Sequence, residues 1–293
     1  MKNSNEQGKL IGNSNITSSV PKEYTHLVWS EEFEGNSIDT SMWQYANYYA
    51  GQLDCHCGEE PELLKVDDDG LNMACQIWKD EKNPDITHAC PPTLVTKNSM
   101  NYRYGYLEML AKVPYKQSAW PALWLCQLDK YKKECGYGIE VDVFEIFGSP
   151  EGRVVPNLHK WFKAEWAEKN GLPNTHSMTG AKSVYQFKDT TNLSDEWHVY
   201  GFEWTDKYMS MYVDGEEYIR YDLSDNYDGM GDMSGFQNPC YILLSNAVYT
   251  KGKHDLYGHA TAIDSDFPCE FVIDYLRLYQ NPNQENNLCE ITL

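Results

Sequence analysis

Three carboxylates stand within six residues in the stretch GIEVDVFEIFG (138–148): Glu140, Asp142 and Glu145. Two carboxyls flanking a glycosidic bond suffice to hydrolyse it. One attacks the sugar, while the other protonates the leaving oxygen and then activates water; in a retaining pair they stand roughly 5–5.5 Å apart. A row of acids suits a solvated strand or a hard cation such as calcium equally well, so residue types alone leave those readings open.

The stretch reads as a β-strand, whose side chains alternate between faces. Regular alternation puts Glu140 and Asp142 on one face and sends Glu145 to the other, with Val141 and Val143. An unpaired carboxylate buried there costs roughly several kcal/mol. A β-bulge resolves the conflict: one extra residue flips the downstream phase, accommodates Val143 and Phe144, and returns Glu145 to the open face. Alternate strand positions are about 6.6–6.8 Å apart, so the outer two acids must lean toward each other across Asp142. Crowding three anions raises the cost of ionising all of them. The expected division is a protonated Glu145, an ionised Glu140, and an Asp142 that hydrogen bonds Glu140 and holds it in position.

The elements that must carry these acids are strands. From residue 27 onward the chain alternates short aromatic or β-branched runs with Gly, Asn, Asp and Pro, the rhythm of an antiparallel all-β protein. In MSMYVDGEEYIRY (209–221), Asp214-Gly215 supplies the positive φ of a type I′ turn. Strands are also expected at HLVWSEEF, GLNMACQIW, YRYGYLEMLAKV, PALWLCQL, IEVDVFEIF, WHVYGFEWT, YILLSNAV and FVIDYLRLYQ, enough for two stacked sheets. The best helical fragment is WFKAEWAEKNG (161–171). Residues 1–23 read as a disordered polar leader and 24–293 as a single domain.

With 24 Lys+Arg against 44 Asp+Glu, the formal charge of −20 disfavours nucleic acid and anionic membranes and suits a neutral partner. No run of 18 apolar residues occurs. The 22 Tyr and nine Trp exceed what a core alone needs, so some rings are expected to face a ligand. The nine cysteines are an odd number. Cys55-His56-Cys57 is too tightly spaced for the usual zinc knuckle; one or two disulfides are possible, and Cys126 reads as a small buried hydrophobe.

At the acid row the sequence resembles glycoside hydrolase family 16, retaining endo-β-glycanases built on a β-jelly-roll sandwich. EVDVFE matches each fixed position of Glu-x-Asp-x-x-Glu, the signature of the bulged branch, which is similar to laminarinases, agarases, porphyranases and carrageenases. LVWSEEFEGNSIDTSMW, YRYGYLEMLAKVP, AWPALWLC, EWHVYGFEWTDKYMSMYVDGEEY and FVIDYLRLYQ follow in the family's order across residues 27–280. The resemblance implies two antiparallel, concanavalin-like sheets with a concave substrate cleft. It also implies Glu140 as nucleophile, Glu145 as acid/base and Asp142 as the assisting residue.

Trp120 and Trp124 match aromatic positions of the family, where a flat indole stacks on a sugar face; core packing is the equal alternative for Trp124. His159 falls where relatives often carry a histidine that hydrogen bonds a sugar hydroxyl, and Trp161 is a second candidate platform. The acids of SEEF and Asp274 match segments that hold a structural calcium in many relatives; no cofactor is expected for the chemistry itself. The implied partner is a β-linked polysaccharide, best a β-1,3-glucan or mixed β-1,3-1,4-glucan, cut by a monomer that is secreted or at the cell surface. An algal galactan is the alternative, with Lys160, Lys163 and Arg153 as a local basic patch, and a non-catalytic carbohydrate-binding sandwich is a third reading. The loops YYAGQLDCHCGEEPELL, HKWFKAEWAEKNGLPNTHS and SNAVYTKGKHDLYG depart from the family pattern and are expected to set the subsites.

Overall fold

The computed structural model describes residues 17–48, 55–57, 60–79, 81–82, 84–85, 87–148, 151–169, 171, 175–177, 184–224, 231, 233–248 and 263–292. Most of the leader (1–16) and parts of the three cleft-side loops lie outside the described residues.

Two sheets stack face to face. The first runs Glu216–Asp222, Tyr208–Val213, His198–Trp204, Gly105–Lys112, Cys269–Gln280, Gly70–Ile77, His88–Cys90 and His56–Cys57, with His26–Glu31 also on Cys269–Gln280. The second runs Thr175–Ser177, Arg153–Phe162, Tyr137–Glu145, Ala119–Gln127, Cys240–Val248, Thr93–Val95 and Gln44–Ala46. The described pairings are antiparallel apart from the short parallel contact of His56–Cys57 with His88–Cys90. Between the sheets lies an apolar layer that includes Leu107, Met109, Leu123, Leu125, Val141, Phe144, Phe202, Leu244, Phe271 and Leu278. Alternation along each strand supplies that layer from every second residue.

The hairpin forms as expected: Asp214 at φ 49° and Gly215 at φ 80° join Tyr208–Val213 to Glu216–Asp222. YRYGYLEMLAKV is two strands, Met100–Arg103 and Gly105–Lys112, because Tyr104 (φ 63°) and Gly105 (φ 140°) interrupt it. The helical reading of 161–171 shortens to Ala164–Lys169, because Trp161 and Phe162 end the ten-residue strand Arg153–Phe162. Pro156 inside that run masked its strand character.

The boundary at residue 23 also moves. Ser18 and Ser19 hydrogen bond the buried Glu108, and Tyr24 donates to Glu203, so residues 17–24 strap the outer face of the first sheet. A Cβ on Gly201 would collide with the Tyr106 hydroxyl beneath this strap, so that position requires glycine.

Candidate active site

The bulge is where the spacing of the acids requires it. Against Arg153–Phe162 the register slips between Asp142 and Glu145. Against Ala119–Gln127, Phe144 pairs with Leu123 while Asp142 pairs with Trp124, which leaves Val143 as the extra residue. Val141, Val143 and Phe144 are buried in the inter-sheet core, whereas Glu140 and Glu145 are partly exposed. One inserted residue therefore places three acids on the outer face of the second sheet.

The neighbouring strand follows the same phase. Ala122, Trp124 and Cys126 pair with Glu145, Asp142 and Glu140. Trp120 donates its indole N–H to Glu145 Oε1 at 3.0 Å. Trp124 donates to Ser245 Oγ at 3.1 Å and lies edge-on to Tyr48; it belongs to the cluster on the acid face, not to the inter-sheet core. Cys126 is buried, as expected, and also directs its thiol at Glu140 Oε2 from 3.9 Å; burial and that carboxylate push its pKa well up, so it stays S–H.

On the other flank, Trp161 donates to Glu140 Oε2 at 3.1 Å and stacks on the His159 ring, centroids 5.3 Å apart. At 42% exposure, it is the most open of the site's tryptophans. His159 Nε2 lies 3.1 Å from Asp142 Oδ2 and 3.9 Å from Glu140 Oε1, with Asn157 Nδ2 at 2.9 Å. The structure thus brings Glu140, Asp142, Glu145, Trp120, Trp124, His159 and Trp161 to one face. Cys126 and Asn157 are additions that alternation from Trp124 and His159 would have found.

Burial pushes the Glu140 carboxyl up to about 8, with the Asp142 charge adding to it and His159 and the Trp161 N–H opposing. Asp142 and Glu145 titrate as a linked pair, both raised chiefly by burial; they share a hydrogen bond, and Glu145 is raised well above the usual carboxylate range. The trio therefore holds protons near neutrality, Glu145 above all as expected. Glu140, however, is raised rather than left ionised, because it is buried beside Asp142, and Asp142 hydrogen bonds Glu145 rather than Glu140. Glu140, Asp142 and His159 also each offer a ligand atom within 4.8 Å of the other two, a spacing that a cation would accept.

Of the expected basic patch, Lys163 is exposed but the other two members are not open to a ligand. Lys160 is buried, on the opposite strand face from His159 and Trp161, with Nζ 4.1 Å from the Tyr137 ring centroid; Arg153 is paired with Glu151 at 2.6 Å. Asp274 is remote from the acid row: it lines a pocket with Glu32, Glu34, Asp67 and Asp68. Those carboxylates are the hard oxygen donors calcium takes, although Glu32 already accepts two hydrogen bonds from Arg277.

A two-sheet jelly roll with paired carboxylates raised across a bulge defines the class: a glycoside hydrolase. The chain belongs to glycoside hydrolase family 16, since residues 26–281 match the family model described as "Beta-porphyranase A-D, GH16 domain". It is 27% identical over 274 residues to glucan endo-1,3-beta-glucosidase A1 of Niallia circulans, covering 87% of this chain but 38% of that relative. It is 25% identical to the beta-glucanase of Rhodothermus marinus, covering 92% and 91%. Its fold matches the laminarinase catalytic domain of Thermotoga maritima MSB8 with a TM-score of 0.67 at 22% identity, over 88% of this chain and 99% of that one. Among the described residues, no helix is long and apolar enough to cross a membrane.

Proposed function

We propose that this chain is a retaining endo-hydrolase of β-1,3-glucan or mixed β-1,3-1,4-glucan. The observation that carries the reading is the bulge at Val143, which sets Glu140 and Glu145 on one open face with an indole N–H on each. Once its proton has left to solvent, Glu140 attacks the anomeric carbon as the carboxylate to give a glycosyl ester. Glu145 protonates the departing oxygen, then takes a proton from the water that hydrolyses the ester. Asp142 shares a hydrogen bond with Glu145 and, by its charge, tunes the Glu140 proton. His159 stands beside Asp142 from the neighbouring strand, and Trp161 is the exposed platform against which a sugar ring would stack. The substrate choice is supported by the glucanases of Niallia circulans and Rhodothermus marinus.

The description of the matched family model favours one second reading, a porphyran-type galactan. The buried Lys160 and the paired Arg153 weaken it, because they leave Lys163 as the exposed cation of the expected patch for a sulfated chain. The same proposal places the enzyme outside the cell as a monomer, with neither nucleic acid nor membrane as partner. It assigns calcium to the pocket of Asp274 as a structural ion, with no cofactor in the chemistry.

The test is a panel of laminarin, lichenan, agarose, porphyran and carrageenan, assayed with the parent enzyme and Glu140→Gln. Oligosaccharide release from laminarin or lichenan by the parent alone is expected. Release from porphyran instead would establish the second reading, and binding without turnover on every polymer would establish a non-catalytic sandwich. Chelation with EDTA is expected to lower the melting temperature while leaving kcat unchanged at temperatures where the enzyme stays folded.

A further inference from the structure

Behind the acid face, a separate buried cluster gathers Cys55, Cys75, Cys90 and Cys269 with Ala119, Ala247 and Val248, and Trp120 packs against it. Two of these cysteines face each other: Cys55 Sγ lies 3.7 Å from Cys90 Sγ, and they are 6% and 0% exposed. Among the described residues, the strand His56–Cys57 that follows Cys55 joins its sheet through the short parallel pairing with His88–Cys90. That strand sits within the loop expected to shape a subsite.

We infer that Cys55 and Cys90 are a disulfide site, closed by exchange with a low-molecular-weight disulfide such as oxidised glutathione. In the reaction the two thiols lose two protons and two electrons as one S–S bond forms; the oxidant's S–S bond breaks and accepts both, leaving two glutathione thiols. The sulfurs must approach by about 1.7 Å to reach the usual bond length of about 2.05 Å. A bridge across 35 residues removes much of the unfolded chain's freedom and ties the subsite strand to the sheet behind Trp120. Cys75 and Cys269 are paired in register on adjacent strands, but Cys75 directs its thiol at Asn246 O, 3.4 Å away, whereas Cys90 makes a longer contact of 3.9 Å to His56 O and lies nearer to Cys55 Sγ, so the Cys55–Cys90 pair is the one set to close.

Cys57 is the backbone partner of Cys90, so the experiment must separate it from Cys55. The full chain and a Cys57→Ser variant are equilibrated with oxidised glutathione, alkylated, and mapped by non-reducing peptide mass spectrometry. A Cys55–Cys90 cross-linked peptide is expected in both, with a melting temperature roughly 5 °C above the dithiothreitol-treated protein. The rise should be absent in Cys55→Ser. Loss of the cross-link in Cys57→Ser, a Cys75–Cys269 bridge in its place, or two glutathione adducts without a bridge would each overturn the assignment.

Discussion

Both sheets carry buried carboxylates on their outer faces, and the two sets are treated in opposite ways. On the first sheet, Glu108 accepts from Ser18 Oγ, Ser19 N, Ser19 Oγ and Tyr275 OH, all within 3.1 Å. Glu203 accepts from Tyr24, Tyr208 and Tyr212 at 2.6–2.8 Å. On the second sheet, Glu140 and Glu145 each receive one indole N–H, Glu140 a long thiol contact besides, and Asp142 lies between them. An acid surrounded by donors is tied into the structure; acids that face one another with few donors have raised pKa values and exchange protons near neutrality. The tyrosine network fixes the strap, and the bulged row is free to do chemistry.

Exchanging the acids for amides should separate the two regions most sharply. Glu140→Gln and Glu145→Gln are each expected to lower kcat by roughly 10³-fold or more, with circular dichroism unchanged. Glu203→Ala leaves the Tyr24 and Tyr208 hydroxyls without their acceptor, Tyr212 keeping Glu217, and is expected to cost about 3 kcal/mol in urea unfolding, with kcat/KM of the folded protein retained. A Glu203→Ala variant of unaltered stability would erase the contrast.

The next effect is one of pH. The Asp142 charge raises Glu140, so Asp142→Asn should lower the Glu140 pKa and move the acid limb of kcat/KM to lower pH, with an activity loss of roughly 10–100-fold. Stability carries the same sign. Folded Glu140 keeps its proton up to about 8 while the unfolded chain releases it near the ordinary glutamate value, so rising pH across that interval favours unfolding. In Glu140→Gln the fall in melting temperature over that interval should be shallower than in the parent. Smallest is Trp120→Phe: losing the N–H that opposes the rise of Glu145 should shift the basic limb to higher pH, with a loss of only a few-fold.

Much of this was legible in the sequence because alternation is a strict rule. A glutamate five residues after another has to be buried or bulged, and the register confirms the bulge at Val143. Trp120, Trp124, His159 and Trp161 fall on the acid face by the same parity. Parity also shows why Lys160 falls outside the basic patch: it sits one residue from His159 and must point the other way. What stayed hidden depends on contacts between distant segments. The docking of Ser18 and Ser19 on Glu108 joins residues about ninety positions apart, and the polar composition of the leader carries no trace of it. Arg153–Phe162, the strand after the catalytic one, was legible through the family resemblance at His159 and not through its own pattern, because it contains Pro156, a residue that strand patterns seldom contain within a sheet. The approach of Cys55 to Cys90 likewise requires the fold.

The central claim is that the bulge presents Glu140 as the nucleophile and Glu145 as its proton partner. Trapping the enzyme with a 2-deoxy-2-fluoro laminarin-type glycoside and mapping the covalent adduct by peptide mass spectrometry tests it directly. A glycosyl ester is expected on the peptide carrying Glu140, with fragmentation placing the mass on that residue; an adduct on Glu145 or Asp142 would make that residue the nucleophile instead.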